Sequence, residues 1–136
     1  MDDKEQLERI CEIFTEYLPP WEGSSLKDLQ DSLENGAFVA AISGSNNIIG
    51  AAVWEWRTDF GELDYLCIDG RHQGKGYGRQ LIDYIINDIR SMMIPGAENF
   101  LYLDVAQENS GAKEFYIRYG FEVEYLRKVF EKTIKK

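Results

Sequence analysis

Residues Gln73-Gly74-Lys75-Gly76-Tyr77-Gly78 set three glycines at alternate positions, with Lys75 inside the run and Arg79 directly after it. Glycine loses more backbone freedom on folding than any other residue, so this density needs a reason. A loop without side chains at the start of a helix exposes several peptide N–H groups and the positive end of the helix dipole, which together suit an anion. Lys75 and Arg79 add positive charge at its rim. A plain strand-to-helix turn needs one glycine, not three. Two common nucleotide motifs do not fit. The P-loop requires Gly-Lys followed by Ser or Thr, but Gly76 follows Lys75. The dinucleotide fingerprint requires a third glycine where counting from Gly74 gives Arg79 and counting from Gly76 gives Leu81.

The loop lies between two strongly patterned segments. Upstream, ELDYLCID reads as a strand, and alternation puts Glu62, Asp64 and Leu66 on one face and Leu63, Tyr65 and Cys67 on the other. Downstream, Leu81, Ile82, Ile85, Ile86, Ile89 and Met93 form the stripe of an amphipathic helix that Pro95-Gly96 ends. Nearer the N-terminus, Leu7 to Leu18 recur at helical spacing up to Pro19-Pro20, and Ser25 can cap a second helix that runs to about Glu34 before Asn35-Gly36. AFVAAIS and IIGAAVWEWR, joined by GSNN, read as a hairpin. Asn99 to Val105 is β-rich, Ser110 to Tyr119 is a short helix, and Phe121 onward gives a further strand or two. The order ααβββαβαβ describes one α+β domain over residues 1–136, without repeat or linker.

Composition bounds the function. A chain of 136 residues with 44% hydrophobic and 13% aromatic residues can fold around a core, and no apolar run approaches the roughly 20 residues that span a bilayer. The acidic start MDDKEQLERICEIF is unlike a signal peptide, so a soluble, cytoplasmic protein without membrane association is expected. Cys11 and Cys67 sit in apolar contexts and read as buried free thiols; with one histidine, no metal site is expected. The net charge of −9 divides into −10 over residues 1–65 (4 basic, 14 acidic) and +1 over residues 66–136 (11 basic, 10 acidic). Without clustered Lys and Arg, nucleic acid is not an expected partner. The acidic half is either solvated surface or an attraction for a cationic ligand.

With these segments in place the chain resembles the GNAT superfamily of acyl-CoA-dependent N-acyltransferases. Its signature, Gln/Arg-x-x-Gly-x-Gly/Ala between a strand and a helix, is matched by Gln73, Gly76 and Gly78, and Asn109 through AKEFYIRYGF resembles a second family segment. The resemblance implies a mixed, mostly antiparallel twisted sheet of about six strands flanked by four helices, splayed between the fourth and fifth family strands. It implies acetyl-CoA as cosubstrate. The diphosphate would lie on the loop from Gln73 to Arg79 (Gln73, Gly74, Lys75, Gly76, Tyr77, Gly78 and Arg79). The pantetheine arm would lie along the backbones of Leu66, Cys67 and Ile68, using the unpaired edge as an added strand would, and Asn109 would contact the arm or only cap its helix.

The implied reaction is acetyl transfer to a primary amine, on a protein lysine, a protein N-terminus or a small molecule. A lysine amine must first lose a proton, at a cost of roughly 4 to 5 kcal/mol near neutrality. Glu62 resembles the general base of the histone acetyltransferase branch, with Glu55 and Asp64 in reserve, and Asp64 can share the acceptor cleft. Tyr116 matches the general acid that returns a proton to the departing thiolate; packing with Phe115 and Tyr119 is the alternative. Trp21 falls in the segment that lines the acceptor pocket, where it would stack on a cation or pack in the core. Two departures stand out: no strand precedes the first helix, and the tail lacks a clear turn for the last hairpin. The resemblance leaves open a partner-supplied edge, a short or exchanged final strand, and hence a homodimer. A non-catalytic acyl-CoA-binding module is the competing reading.

Overall fold

The computed structural model describes residues 3–18, 25–44, 46–56, 60–105, 110–123 and 129–136, with the side chains of residues 129–131 excepted. Helix α1 (Asp3–Tyr17) and helix α2 (Leu26–Glu34) precede a meander of β1 (Phe38–Gly44), β2 (Asn47–Trp56) and β3 (Phe60–Ile68). A short 3-10 turn (Gly70–His72) leads into α3 (Tyr77–Met92), then β4 (Glu98–Asp104), α4 (Ser110–Tyr119), β5 (Glu122–Val123) and β6 (Val129–Lys135). These elements follow the order expected from the sequence.

The six strands form one sheet in the order β1-β2-β3-β4-β6-β5, antiparallel throughout except where β4 joins β3. Helices cover both faces. On one, Ile10, Ile13 and Phe14 of α1 and Leu29 of α2 bury Ala51, Val53 and Cys67. On the other, Leu81, Ile82, Ile85 and Ile89 of α3 bury Ala52, Trp54, Leu63 and Leu101. Residues of β2 alternate between the two cores, which explains why AAVW is uninterruptedly apolar in a central strand. Both cysteines are free and buried, and burial pushes the Cys11 thiol up from its ordinary value.

Two expectations need correction. Simple alternation along β3 fails because the register with β2 steps from Val53↔Tyr65 to Trp54↔Leu63, leaving Asp64 as the extra residue of a bulge. Leu63 and Leu66 therefore both pack toward α3, while Tyr65 and Cys67 pack toward α1. Leu66 does not share a face with Glu62, which lies opposite Glu55 across the ladder. The final strand is not short, since β6 pairs with β4 at seven positions from Asp104↔Val129 to Glu98↔Lys135. The short strand is β5, with two residues at the sheet edge.

The parallel pairing of β3 with β4 is confined to Phe60↔Phe100, Gly61↔Leu101 and Glu62↔Tyr102. Beyond Glu62 the two strands part, one residue before the bulge pair. A bulge bends its strand and increases its twist, so the irregularity at Asp64 turns β3 away where the split opens.

Candidate active site

The chain leaves β3 through Asp69, which is 1% exposed and ties the following loop to α1. Its carboxylate accepts hydrogen bonds from Arg9 Nη2 at 2.9 Å, Tyr17 Oη at 3.2 Å, and the Arg71 backbone N–H and guanidinium at 3.0 to 3.3 Å. The bonds from the Arg71 side chain and amide, with Arg9, hold it well below the usual carboxylate range against the opposing effect of burial. Arg9 also donates from Nε to the Ile48 carbonyl at 3.0 Å, and a side chain at Gly70 would stand 2.7 Å from the Tyr17 ring. Gln73 donates from Nε2 to the Ile68 carbonyl at 2.9 Å, closing the loop back on the end of β3.

Within the glycine run the three residues do different work. Gly74 and Gly76 have φ of +78° and +88°, which other residues rarely adopt, and open space lies where their Cβ atoms would stand. Gly78 makes room instead, because a Cβ there would meet Phe115 Cζ at 3.1 Å. Gly76 also begins α3 with no side-chain cap, in contrast to Ser25, which accepts a bond from the Asp28 amide at the start of α2. The first-turn amides of a 16-residue helix are thus left to an external acceptor.

A cavity of about 730 Å³ opens in front of these amides and runs between α3, α4 and the free end of β3. The expected residues Leu66, Cys67, Ile68, Gln73, Gly74, Gly76, Tyr77, Gly78 and Arg79 all line it; Lys75 is exposed on the loop and does not. Asn109 and Trp21 lie outside the described residues. The opposite wall comes from α4, through Gly111, Ala112, Phe115, Tyr116, Arg118 and Tyr119. Tyr17, Leu18 and His72 complete the lining and were not singled out from the sequence. Tyr17 and Leu18 end a helix that reads from its pattern as core packing. A hydrogen bond to Asp69, far along the chain, ties Tyr17 to the end of β3.

A second cavity, about 60 Å³, lies between β3 and the end of β4 and shares Leu18, Leu66, Ala112 and Tyr116 with the first. Asp64, Asp104 and Tyr65 line it as well. Tyr116 is 8% exposed and stacks edge-on with Phe115 and Phe121, at centroid distances of 5.2 and 5.5 Å. Packing and a place at the junction are therefore both properties of this ring. Next to the small cavity the bulge brings Asp64 to the Glu55–Glu62 pair, and one carboxylate oxygen of each lies within 4.8 Å of the others. A cation placed among three carboxylates is attracted by all of them.

The arrangement can accept an extended ligand with an anionic end at the glycine loop and its other end at the split. Residues 7–121 match the family model described as Acetyltransferase (GNAT) family. Among characterised proteins, the [ribosomal protein bS18]-alanine N-acetyltransferase of Haemophilus ducreyi is 29% identical over 114 residues, 82% of this chain and 72% of that protein. The solved structure of the ribosomal-protein-S18-alanine N-acetyltransferase from Escherichia coli superposes with a TM-score of 0.80 at 17% identity, covering 100% of this chain and 92% of the other. The PaiA N-acetyltransferase of Thermoplasma acidophilum, solved in complex with coenzyme A, superposes at 0.78 with 20% identity over 98% and 94%. At such identities the structural likeness speaks for the fold. Among the described residues no helix is long and apolar enough to cross a membrane.

Proposed function

The chain belongs to the GNAT acetyltransferase family, whose members bind acetyl-CoA, and from that premise we propose that it moves an acetyl group from acetyl-CoA to a primary amine by direct attack. The observation that carries the reading is the meeting of two cavities at the β3–β4 split. One is floored by uncapped helix amides, the other lies beside three carboxylates, and Leu66 and Tyr116 border both.

In this reading the diphosphate takes the amides of the Gly74–Gly78 loop and the pantetheine arm runs along β3 from Leu66 to Ile68, past the positions that pair with β4. The thioester then arrives at the split, where a backbone N–H near Leu66 or Cys67 polarises its carbonyl. The acceptor enters as an ammonium ion, drawn by Glu55, Glu62 and Asp64. A carboxylate of this group, Glu62 first, takes one proton directly or through water, and the amine attacks the carbonyl carbon. The tetrahedral intermediate collapses, the C–S bond breaks, Tyr116 protonates the thiolate, and the second proton lost from the attacking nitrogen restores the Tyr116 phenol. The products are the amide, CoA thiol and one proton.

The acidic cluster favours a cationic acceptor, and likeness to an enzyme named for an alanine on a ribosomal protein makes a protein N-terminus the first acceptor to try. Lysine side chains and small amines remain within the same chemistry, and a homodimer is compatible with β1 standing at the sheet edge. The test is turnover of acetyl-CoA against peptides with free N-terminal alanine, lysine peptides and small polyamines. We expect acetylation of at least one class, with Tyr116→Phe and Glu62→Gln each lowering kcat by about 100-fold or more, the range of general acid–base contributions, while CoA affinity holds within about twofold. Binding of CoA with no acetyl transfer to any amine in wild type would identify a binding module instead.

A further inference from the structure

Arg79 and Asp83 stand four residues apart on α3, a spacing at which opposite charges ordinarily pair. Here the Asp83 carboxylate accepts a hydrogen bond from Tyr119 Oη at the end of α4, and the Arg79 guanidinium carbon lies 5.1 Å from the centroid of the same tyrosine ring. Tyr119 thus occupies the partner that Arg79 would otherwise take and offers its own face in exchange. Stacking on an aromatic face leaves the in-plane N–H groups of a guanidinium available to a phosphate, whereas a carboxylate partner consumes them. Arg79 and Tyr119 line the large cavity beside Gly76 and Gly78. Burial first, and then the bond to Asp83, hold the Tyr119 phenol above its usual range, so it stays a donor throughout neutral pH.

We propose that Tyr119 is a positioning residue for cosubstrate binding: by engaging Asp83 it keeps that carboxylate off Arg79 and holds the guanidinium against its ring, free to meet a phosphate of CoA at the glycine loop. The inference rests on the reading that the large cavity receives CoA. It predicts a reversal that a merely structural tyrosine would not give. In Tyr119→Phe the ring stays but Asp83 is released one helical turn from Arg79, and the two pair. Removing the carboxylate as well, in the double variant Tyr119→Phe with Asp83→Asn, takes that competitor away.

The experiment is calorimetric titration of each folded variant with CoA, with pantetheine, which lacks the phosphates, as competitor. Arg79→Gln weakens CoA binding by about fivefold to tenfold, the size of one charge-assisted contact, and lessens its salt dependence. Tyr119→Phe weakens it by about threefold or more, and the double variant returns to within about twofold of wild type. Pantetheine affinity stays the same in all of them. A Tyr119→Phe variant with wild-type CoA affinity overturns the proposal, as does a double variant no tighter than the single one. Either result leaves the cavity reading intact when wild type binds CoA, whereas a wild type that does not bind CoA at all removes both.

Discussion

Gly74 and Gly76 hold positive φ with nothing within 4 Å of a notional Cβ, so alanine there meets backbone strain rather than a collision. Gly76→Ala is expected to cost about 1 to 2 kcal/mol of stability, the ordinary penalty of a left-handed non-glycine residue, and to put a methyl group near the uncapped amides. Denaturant unfolding should read the first effect and CoA titration the second, as a loss of affinity larger than the fall in stability explains. Wild-type affinity in a folded Gly76→Ala protein would separate the loop from ligand binding. The conformation of this loop was legible in the sequence because glycine spacing is a local signal. The acid cluster was legible only in part. Glu62 and Asp64 stood out on one strand, but Asp64 reaches Glu55 and Glu62 through a bulge, and nothing in ELDYLCID marks a bulge because every residue in it suits a regular strand.

At the scale of elements, the order of helices and strands followed from periodicity, since each has a clear apolar stripe or alternation and the turns carry Pro, Gly or Asn. Long-range attachments were not readable. Asp69 gathers Arg9, sixty positions away, with Tyr17 and Arg71, and so pins α1 to the turn that precedes the glycine loop. Sequence offers no pattern for a contact between residues so far apart. Because hydrogen bonds hold the folded-state pKa of Asp69 below its unfolded value, its ionised form stabilises the fold at every pH above the ordinary carboxylate range. That contribution is lost only as pH falls through the depressed folded value. Asp69→Asn should therefore lower the melting temperature by a constant amount between about pH 5 and pH 8, with the gap to wild type closing only in stronger acid. A gap that closes near pH 6 would show that the carboxylate is not held as the hydrogen bonds indicate.

Taken whole, the molecule sets an acidic half against a balanced one, and the site joins the two. Acidic side chains of β2 and β3 gather on one side of the split, while Arg79 and Arg118 line the cavity on the other. In the proposed reaction the cosubstrate fills the large cavity and a cationic acceptor takes the acidic side, with Tyr116 bordering both cavities. The split depends on a pairing that stops after three residues, which the family resemblance implied and strand propensity alone does not reveal. The most direct measurement is a crystal structure with acetyl-CoA bound. For the proposed reaction, diphosphate oxygens are expected within hydrogen-bond reach of the Gly74–Gly78 amides, pantetheine along Leu66–Ile68, and the thioester sulfur beside the Tyr116 hydroxyl. A ligand seated elsewhere, or one whose thioester lies away from the β3–β4 split, would contradict it.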